Sequence, residues 1–436
     1  MGIRLEEKSR WERRAPLTPE DVAHLAREAG LSFQVQRSPI RIFPEAAYRA
    51  AGAEVVDDLR ACPVIMGIKE IPVGVLEPRK TYVFFSHTIK RQPHNMPMLR
   101  RIVELGCTLI DYERIVDERG RRLVFFGRHA GLAGFIDAMW ALGQRLRCEG
   151  IASPFETVRR AYDYRDSDDA KRALAEVGER IRRDGLPETL RPMTIGFAGY
   201  GHVSMGAQEM AEALPLREVG PDQLAALPPA GDLVYKVVFR EEHMVERMDA
   251  GGRGVPGFDL QEYYDHPDRY HGKFFPHVPH LSVLVNGIYW DARYPRLITR
   301  KQLRELYAAG DGRRLRVIAD ISCDVEGSIE CTVRATDPGD PVYVYEPLTG
   351  HAPTGVAGDG PVILAVDILP CELPVDASRY FGQMLRPLVP ALARADFSRE
   401  LGDCGLPPEL QRATIVYNGE LTEPYRYLDP EVRGAH

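Results

Sequence analysis

Residues 193–214 read MTIGFAGYGHVSMGAQEMAEAL, an apolar strand that runs through a glycine turn into a helix. No other stretch limits the fold as strongly. Ile195, Gly196, Phe197 and Ala198 form the buried strand, and Gly199 permits the tight turn. Gly201 lets the backbone approach a pyrophosphate, whose charge would meet the open N–H groups of the helix. Ser204 stands where a third glycine is usual and is small enough to keep helix and strand close, with Gly206 following. An acidic residue about 20 positions on would hold an unphosphorylated ribose. Glu218 stands there, and Arg217 beside it equally suits a 2′-phosphate, so NADPH and NADH both stay open.

The flanking sequence extends this unit into an α/β fold. Residues 64–68, 81–85 and 108–110 are short apolar runs followed at once by polar residues, as buried parallel strands are. Residues 18–28 (TPEDVAHLARE) place a threonine cap before a proline and an apolar stripe, and predict a helix. Residues 95–105 supply a crossover helix, and residues 131–146 (GLAGFIDAMWALGQRL) a long apolar helix expected to link two domains. A charged helix is expected over 168–183. Beyond the glycine turn, strands are expected over 232–238, 281–285, 316–321, 342–345 and 362–368, with a helix over 376–392. Strands alternating with helices after such a turn indicate a doubly wound sheet.

Composition excludes several functions. A chain of 436 residues with 44% apolar residues has room for two or three domains. Its net charge of -7, with no basic block, argues against a nucleic-acid backbone as ligand. The charged N-terminus lacks a signal-peptide core, and apolar runs such as 361–370 are about half the ~20 residues a membrane helix needs. A cytoplasmic protein without a membrane span is therefore expected. Seven cysteines without a CxxC pair suit reduced thiols. Residues 266–280 hold four histidines in a loop broken by prolines, without finger-like or helical ligand spacing, so no metal is expected.

Three N-terminal features suit an anionic carbonyl substrate. Arg13 and Arg14 precede the first helix, Lys69 and Glu70 follow one strand, and His87 to Lys90 follow another. Residues just past parallel strands converge on one rim, where open α/β sheets place ligands. Histidine titrates near neutrality, and a lysine among other cations has its pKa lowered into a useful range.

Those same residues carry a family resemblance. Residues 12–19 (ERRAPLTP), 67–72 (GIKEIP), 84–90 (FFSHTIK) and 109–114 (LIDYER) resemble the alanine dehydrogenase and saccharopine dehydrogenase superfamily. Residues 10–19, 110–121, 203–207 (VSMGA), 286–290 (NGIYW), 294–299 (YPRLIT), 320–330 (DISCDVEGSIE) and 368–381 (ILPCELPVDASRYF) resemble, in order, the lysine-2-oxoglutarate reductase half of α-aminoadipic semialdehyde synthase. The resemblance implies two Rossmann-like domains, the substrate domain formed by both chain ends and the dinucleotide-binding domain inserted between them. The boundaries expected are 1–140, 141–340 and 341–436.

By the same resemblance, Lys69 and His87 are the acid/base pair, and Arg14 contacts a substrate carboxylate. Glu113 and Arg122 are further site residues, and Asp320 lies near the nicotinamide. The implied reaction joins L-lysine to 2-oxoglutarate with NADPH favoured over NADH, and Glu70 or Glu113 would receive the α-ammonium of lysine. An opine-type or simple amino-acid dehydrogenase is the alternative within the superfamily, and a catalytically silent nucleotide-binding protein the alternative outside it. Because this chain ends at His436, without the second enzyme fused to this half in animals and plants, a monofunctional reductase is expected.

Overall fold

Strand and helix boundaries follow the chemistry of their ends. The computed structural model describes residues 1–249, 251–310 and 312–433. The first strand, β1 (Gly2–Ile3), leads to helix α1 (Pro19–Ala29), which begins where Thr18 accepts a hydrogen bond from the Asp21 N–H and Asp21 answers at the Thr18 N–H. It ends at Gly30, whose φ of 65° takes the chain into the left-handed region. Strand β2 (Gln34–Gln36), helix α2 (Glu45–Ala50) and strands β3 (Glu54–Val56), β4 (Val64–Met66) and β5 (Thr81–Phe84) follow. Helix α3 (Met96–Glu104) then crosses to β6 (Thr108–Asp111).

These six strands are parallel in the order β3-β2-β1-β4-β5-β6. Met66 pairs with Val83 and Phe84 with Asp111, so Lys69, His87 and Asp111 all lie at carboxyl ends of adjacent strands. The two-residue β1 sits between β2 and β4, which no periodicity argument on so short a segment could reveal.

Residues Gly127–Leu373 form a separate compact unit. Helix α4 (Gly127–Cys148) and helix α5 (Ser167–Asp184) precede β7 (Thr194–Ala198), helix α6 (His202–Ala211), β8 (Leu216–Glu218) and β9 (Val234–Phe239). Strands β10 (Val245–Met248), β11 (Gly254–Val255) and β12 (Tyr270–Gly272) make a small antiparallel sheet. Strands β13 (Val283–Asn286), β14 (Val317–Asp320), β15 (Val342–Val344) and β16 (Val362–Leu364) complete a seven-stranded sheet ordered β8-β9-β7-β13-β14-β16-β15. All are parallel there except β15.

Helix α4 packs on α6 through glycine. A Cβ on Gly131 would lie 1.9 Å from the Val203 carbonyl oxygen, and one on Gly206 2.1 Å from that of Arg128. The backbones touch because neither residue has a side chain.

The chain then returns to the first unit, Met1–Phe126 with Pro374–His436. Strand β17 (Thr414–Tyr417) lies antiparallel beside β6, and β18 (Glu420–Leu421) caps that edge. The divisions fall at 126/127 and 373/374, in place of the 140/141 and 340/341 expected. Helix α4 is committed to α6, and β16 pairs with β14, so both belong to the inserted unit. The helix expected over 376–392 runs over Pro374–Leu385 and restarts at Val389–Arg394, interrupted near Pro387. Among the described residues no helix is long and apolar enough to cross a membrane, and no three His, Cys, Asp or Glu side chains gather at metal spacing.

Candidate active site

In the first unit the rim beyond β4, β5 and β6 gathers charged groups. Glu70 is the hub: its Oε1 meets His87 Nδ1 at 2.7 Å, and both its oxygens accept from Lys8 Nζ at 2.7 Å. Against the cost of burial, these bonds hold the Glu70 carboxyl well below the usual carboxylate range. His87 has a left-handed backbone, φ 49°, fixed by Asn95 Nδ2 donating to its carbonyl at 3.1 Å. Burial, then the Arg14 guanidinium, pulls the Lys69 ammonium below its ordinary pKa, against Glu12 and Glu70. Its backbone is anchored by Glu6, whose carboxylate accepts from the N–H groups of Ile68 at 2.6 Å and Lys69 at 3.0 Å. Burial, with Glu12 nearby, pushes Glu6 up to about 7.

Arg14 is placed differently from a free carboxylate clamp. Its Nε and Nη2 donate to the two oxygens of Glu12 at 2.7 and 2.6 Å, its face covers the Phe126 ring, and it is 3% exposed. Arg122 pairs with Glu113 while staying 52% exposed. Asp111, pushed up to about 6 by burial against hydrogen bonds from Ser86 and the Glu113 N–H, ties the ends of β5 and β6 together. Asp111, like Lys69 and His87, is read from the sequence as a strand-end residue, whereas Glu6, Lys8 and Glu12 were not singled out there. Glu12 sits inside the ERRAPLTP motif, whereas Glu6 and Lys8 reveal themselves only through strand order.

The second unit carries the glycine turn at the carboxyl end of β7. Gly199 has φ 89° and donates its N–H to the Phe239 carbonyl at 2.9 Å. No side chain caps α6, and a Cβ on Gly201 would enter space with no described atom within 4 Å. Open N–H groups facing open space fit a pyrophosphate. Ser204 is buried, and Gly287 closes over it, since a Cβ there would lie 3.2 Å from the Ser204 nitrogen.

Arg217 and Glu218 do not meet this turn. They lie on β8, the sheet edge, with β9 between β8 and β7; Glu218 is level with Lys236, its salt-bridge partner, and Ile195, not with the end of β7. The strand beside β7 is β9, where Phe239 pairs with Ala198. Arg240 therefore follows next to the turn, exposed, with its guanidinium 5.1 Å from the centre of the Tyr200 ring. Tyr264 donates to Glu241 at 2.9 Å beside it. Asp320, at the end of β14, is fully buried and accepts from Asn286 at 2.8 Å, Ser322 at 2.7 Å and Thr332 at 2.5 Å. It braces the ends of β13 and β14.

Comparison with known proteins agrees with this layout. Residues 2–133 match the family model described as alanine dehydrogenase/PNT, N-terminal domain. The chain is 39% identical to an alpha-aminoadipic semialdehyde synthase of Arabidopsis thaliana, over 100% of its own length and 42% of that protein. It thus spans less than half of that relative. It is 28% identical to a saccharopine dehydrogenase (NAD(+), L-lysine-forming) of Neurospora crassa, covering 87% of this chain and 88% of the other. The solved structure of an L-alanine dehydrogenase has the same fold, with a TM-score of 0.63 at 16% identity over 99% of this chain and 100% of that one. The chain is thus similar along its whole length to part of an alpha-aminoadipic semialdehyde synthase and to a saccharopine dehydrogenase, residues 2–133 match the alanine dehydrogenase/PNT N-terminal domain, and its two Rossmann-like units share the fold of L-alanine dehydrogenase.

Proposed function

We propose that the chain catalyses the reductive condensation of L-lysine with 2-oxoglutarate to saccharopine. The observation that carries this reading is the grouping of Lys69, Glu70 and His87 on adjacent strand ends, in a chain similar throughout to part of an alpha-aminoadipic semialdehyde synthase. The amine attacks the ketone, water leaves, and the resulting imine is reduced. Each stage moves a proton. Lys69, with its lowered affinity for a proton, and His87, oriented by Glu70, are the groups suited to those transfers. Arg122 is an accessible cation for a substrate carboxylate, while the Arg14–Glu12 pair acts on Lys69 through its charges. Glu113, on Arg122, is better placed than the doubly bonded Glu70 to receive an ammonium group.

The glycine turn fits a nicotinamide dinucleotide, held by Gly199, Gly201 and the first turn of α6, with Ser204 and Asp320 supporting the surrounding backbone. Bound there, it would supply the hydride. Arg240 supports NADPH as the form used, since a cation next to the turn suits a 2′-phosphate. The test is NADPH oxidation with 2-oxoglutarate and, in turn, lysine, ornithine, ammonia or no amine. Turnover with lysine alone is expected. Preference for ornithine or ammonia would assign another member's reaction, and no turnover under any condition would leave a nucleotide-binding protein.

A further inference from the structure

A cavity lies in the inserted unit at the amino ends of β14 and β16, the opposite end of the seven-stranded sheet from the glycine turn. Its volume is about 420 Å³, within the range of small-molecule sites. Arg145 and Glu149 come from the end of α4, Tyr307 from the helix Arg300–Ala308, Arg316 from the approach to β14, and Asp359 from the approach to β16. Strands β14 and β16 begin here, whereas parallel β7 ends at the turn.

The two arginines share one carboxylate. Arg145 Nε donates to Glu149 Oε1 at 2.6 Å and Arg316 Nε to Oε2 at 3.1 Å, while Arg145 Nη1 reaches the Val356 carbonyl at 3.0 Å. Among the described residues, Arg145 Nη2, both Arg316 Nη atoms and the Tyr307 hydroxyl have no protein partner, although the Arg316 side chain is only 9% exposed and that of Arg145 13%. These donor atoms are not sealed off but stay open to the cavity, where a ligand would meet them. One guanidinium charge is therefore unbalanced at the inner wall, and planar donor forks of this kind match a carboxylate. Asp359 is exposed at the same cavity and supplies the opposite sign. With two arginines and two acids the lining sums to zero, which suits a zwitterion rather than a multiply charged phosphate.

We propose that this cavity is a second ligand site, which takes a neutral free α-amino acid with its carboxylate on Arg145, Arg316 and Tyr307 and its ammonium on Asp359. Leu315 offers an apolar wall to the side chain.

Calorimetric titration of the whole 436-residue chain with L-leucine, L-glutamine, propionate and inorganic phosphate tests the proposal. L-Lysine is left out because the reaction proposed above gives it a site elsewhere. An amino acid should bind the wild type and bind Arg316→Gln at least about tenfold more weakly, the loss of one charge-assisted contact. Asp359→Asn, at an exposed position, should weaken amino-acid binding without changing that of propionate. Both variants should keep basal turnover. No amino-acid binding to the wild type, binding undiminished in Arg316→Gln, or phosphate binding as well as the amino acids would each overturn the proposal.

Discussion

His87 illustrates how the site is held at the scale of single residues. A left-handed backbone at a residue other than glycine costs about 1 kcal/mol or more, and here Asn95 and Glu70 fix both ends of the histidine. Lys69 and His87 lie beyond strand ends and contribute little to the core. Lys69→Ala and His87→Ala should each keep the wild-type circular dichroism spectrum while turnover with lysine and 2-oxoglutarate falls by ~10² to 10⁴. Wild-type turnover in both would rule out the acid/base assignment. Arg14 calls for a different experiment from the rise in Michaelis constant that a free carboxylate clamp would show. Because it is buried with Glu12, Arg14→Ala should lower unfolding stability by about 3 kcal/mol or more, leaving a buried carboxylate without its partner. The double variant Glu12→Ala with Arg14→Ala should regain part of that loss in urea unfolding. Lys69 and His87 were legible as positions because motif and strand end coincide, and Arg14 because it stands in the motif just before the first helix. Glu6 and Lys8 were not, since they reach the rim only once β1 is placed beside β4.

At the scale of elements, capping chemistry made helices readable and strand order did not follow. Thr18 and Gly30 bracket α1 close to where the sequence predicts it. The expected ribose contact at Glu218 assumed that the strand after α6 lies beside β7, but that place belongs to β9, and β8 is displaced to the edge. The glycines around the turn separate binding from stability. Gly201 has an extended backbone and open space for a side chain, so Gly201→Val should abolish NADPH binding with little change in melting temperature. Gly131→Ala should do the reverse, because its methyl group would meet the Val203 carbonyl and force α4 from α6, costing about 1–3 kcal/mol or more. Ser204→Gly should be tolerated, at up to about 1 kcal/mol for glycine in a helix. NADPH titration and thermal melts of the three variants decide the matter. Undiminished affinity in Gly201→Val would make the turn purely structural.

Across the whole molecule, the two-unit plan was legible through the family resemblance, which also accounts for a glycine turn so far from the N-terminus, whereas the boundaries depend on packing: α4 and β16 join the inserted unit through nonlocal contacts. Those interiors also bury carboxyl groups, and this sets the pH response of the fold. Burial, chiefly, raises Glu6 to about 7 and Asp111 and Asp137 to about 6. Burial, then the facing Asp137, raises Glu372 well above its ordinary range. A carboxyl raised in the folded state binds its proton more tightly there than in the unfolded chain. Its stabilising contribution is therefore full below the unfolded pKa of about 4 and is lost as pH climbs through the raised value. Glu70, held low, acts in the opposite sense and loses its contribution as pH falls below about 4. Stability should thus decline from about pH 5 to pH 8. Glu372→Gln keeps the shape of the side chain and removes the charge facing Asp137, so its stability at pH 8 should exceed that of the wild type and its decline should be shallower. Urea unfolding at pH 5, 6, 7 and 8 measures both slopes; parallel slopes in wild type and variant would show that the Asp137–Glu372 pair does not govern the loss.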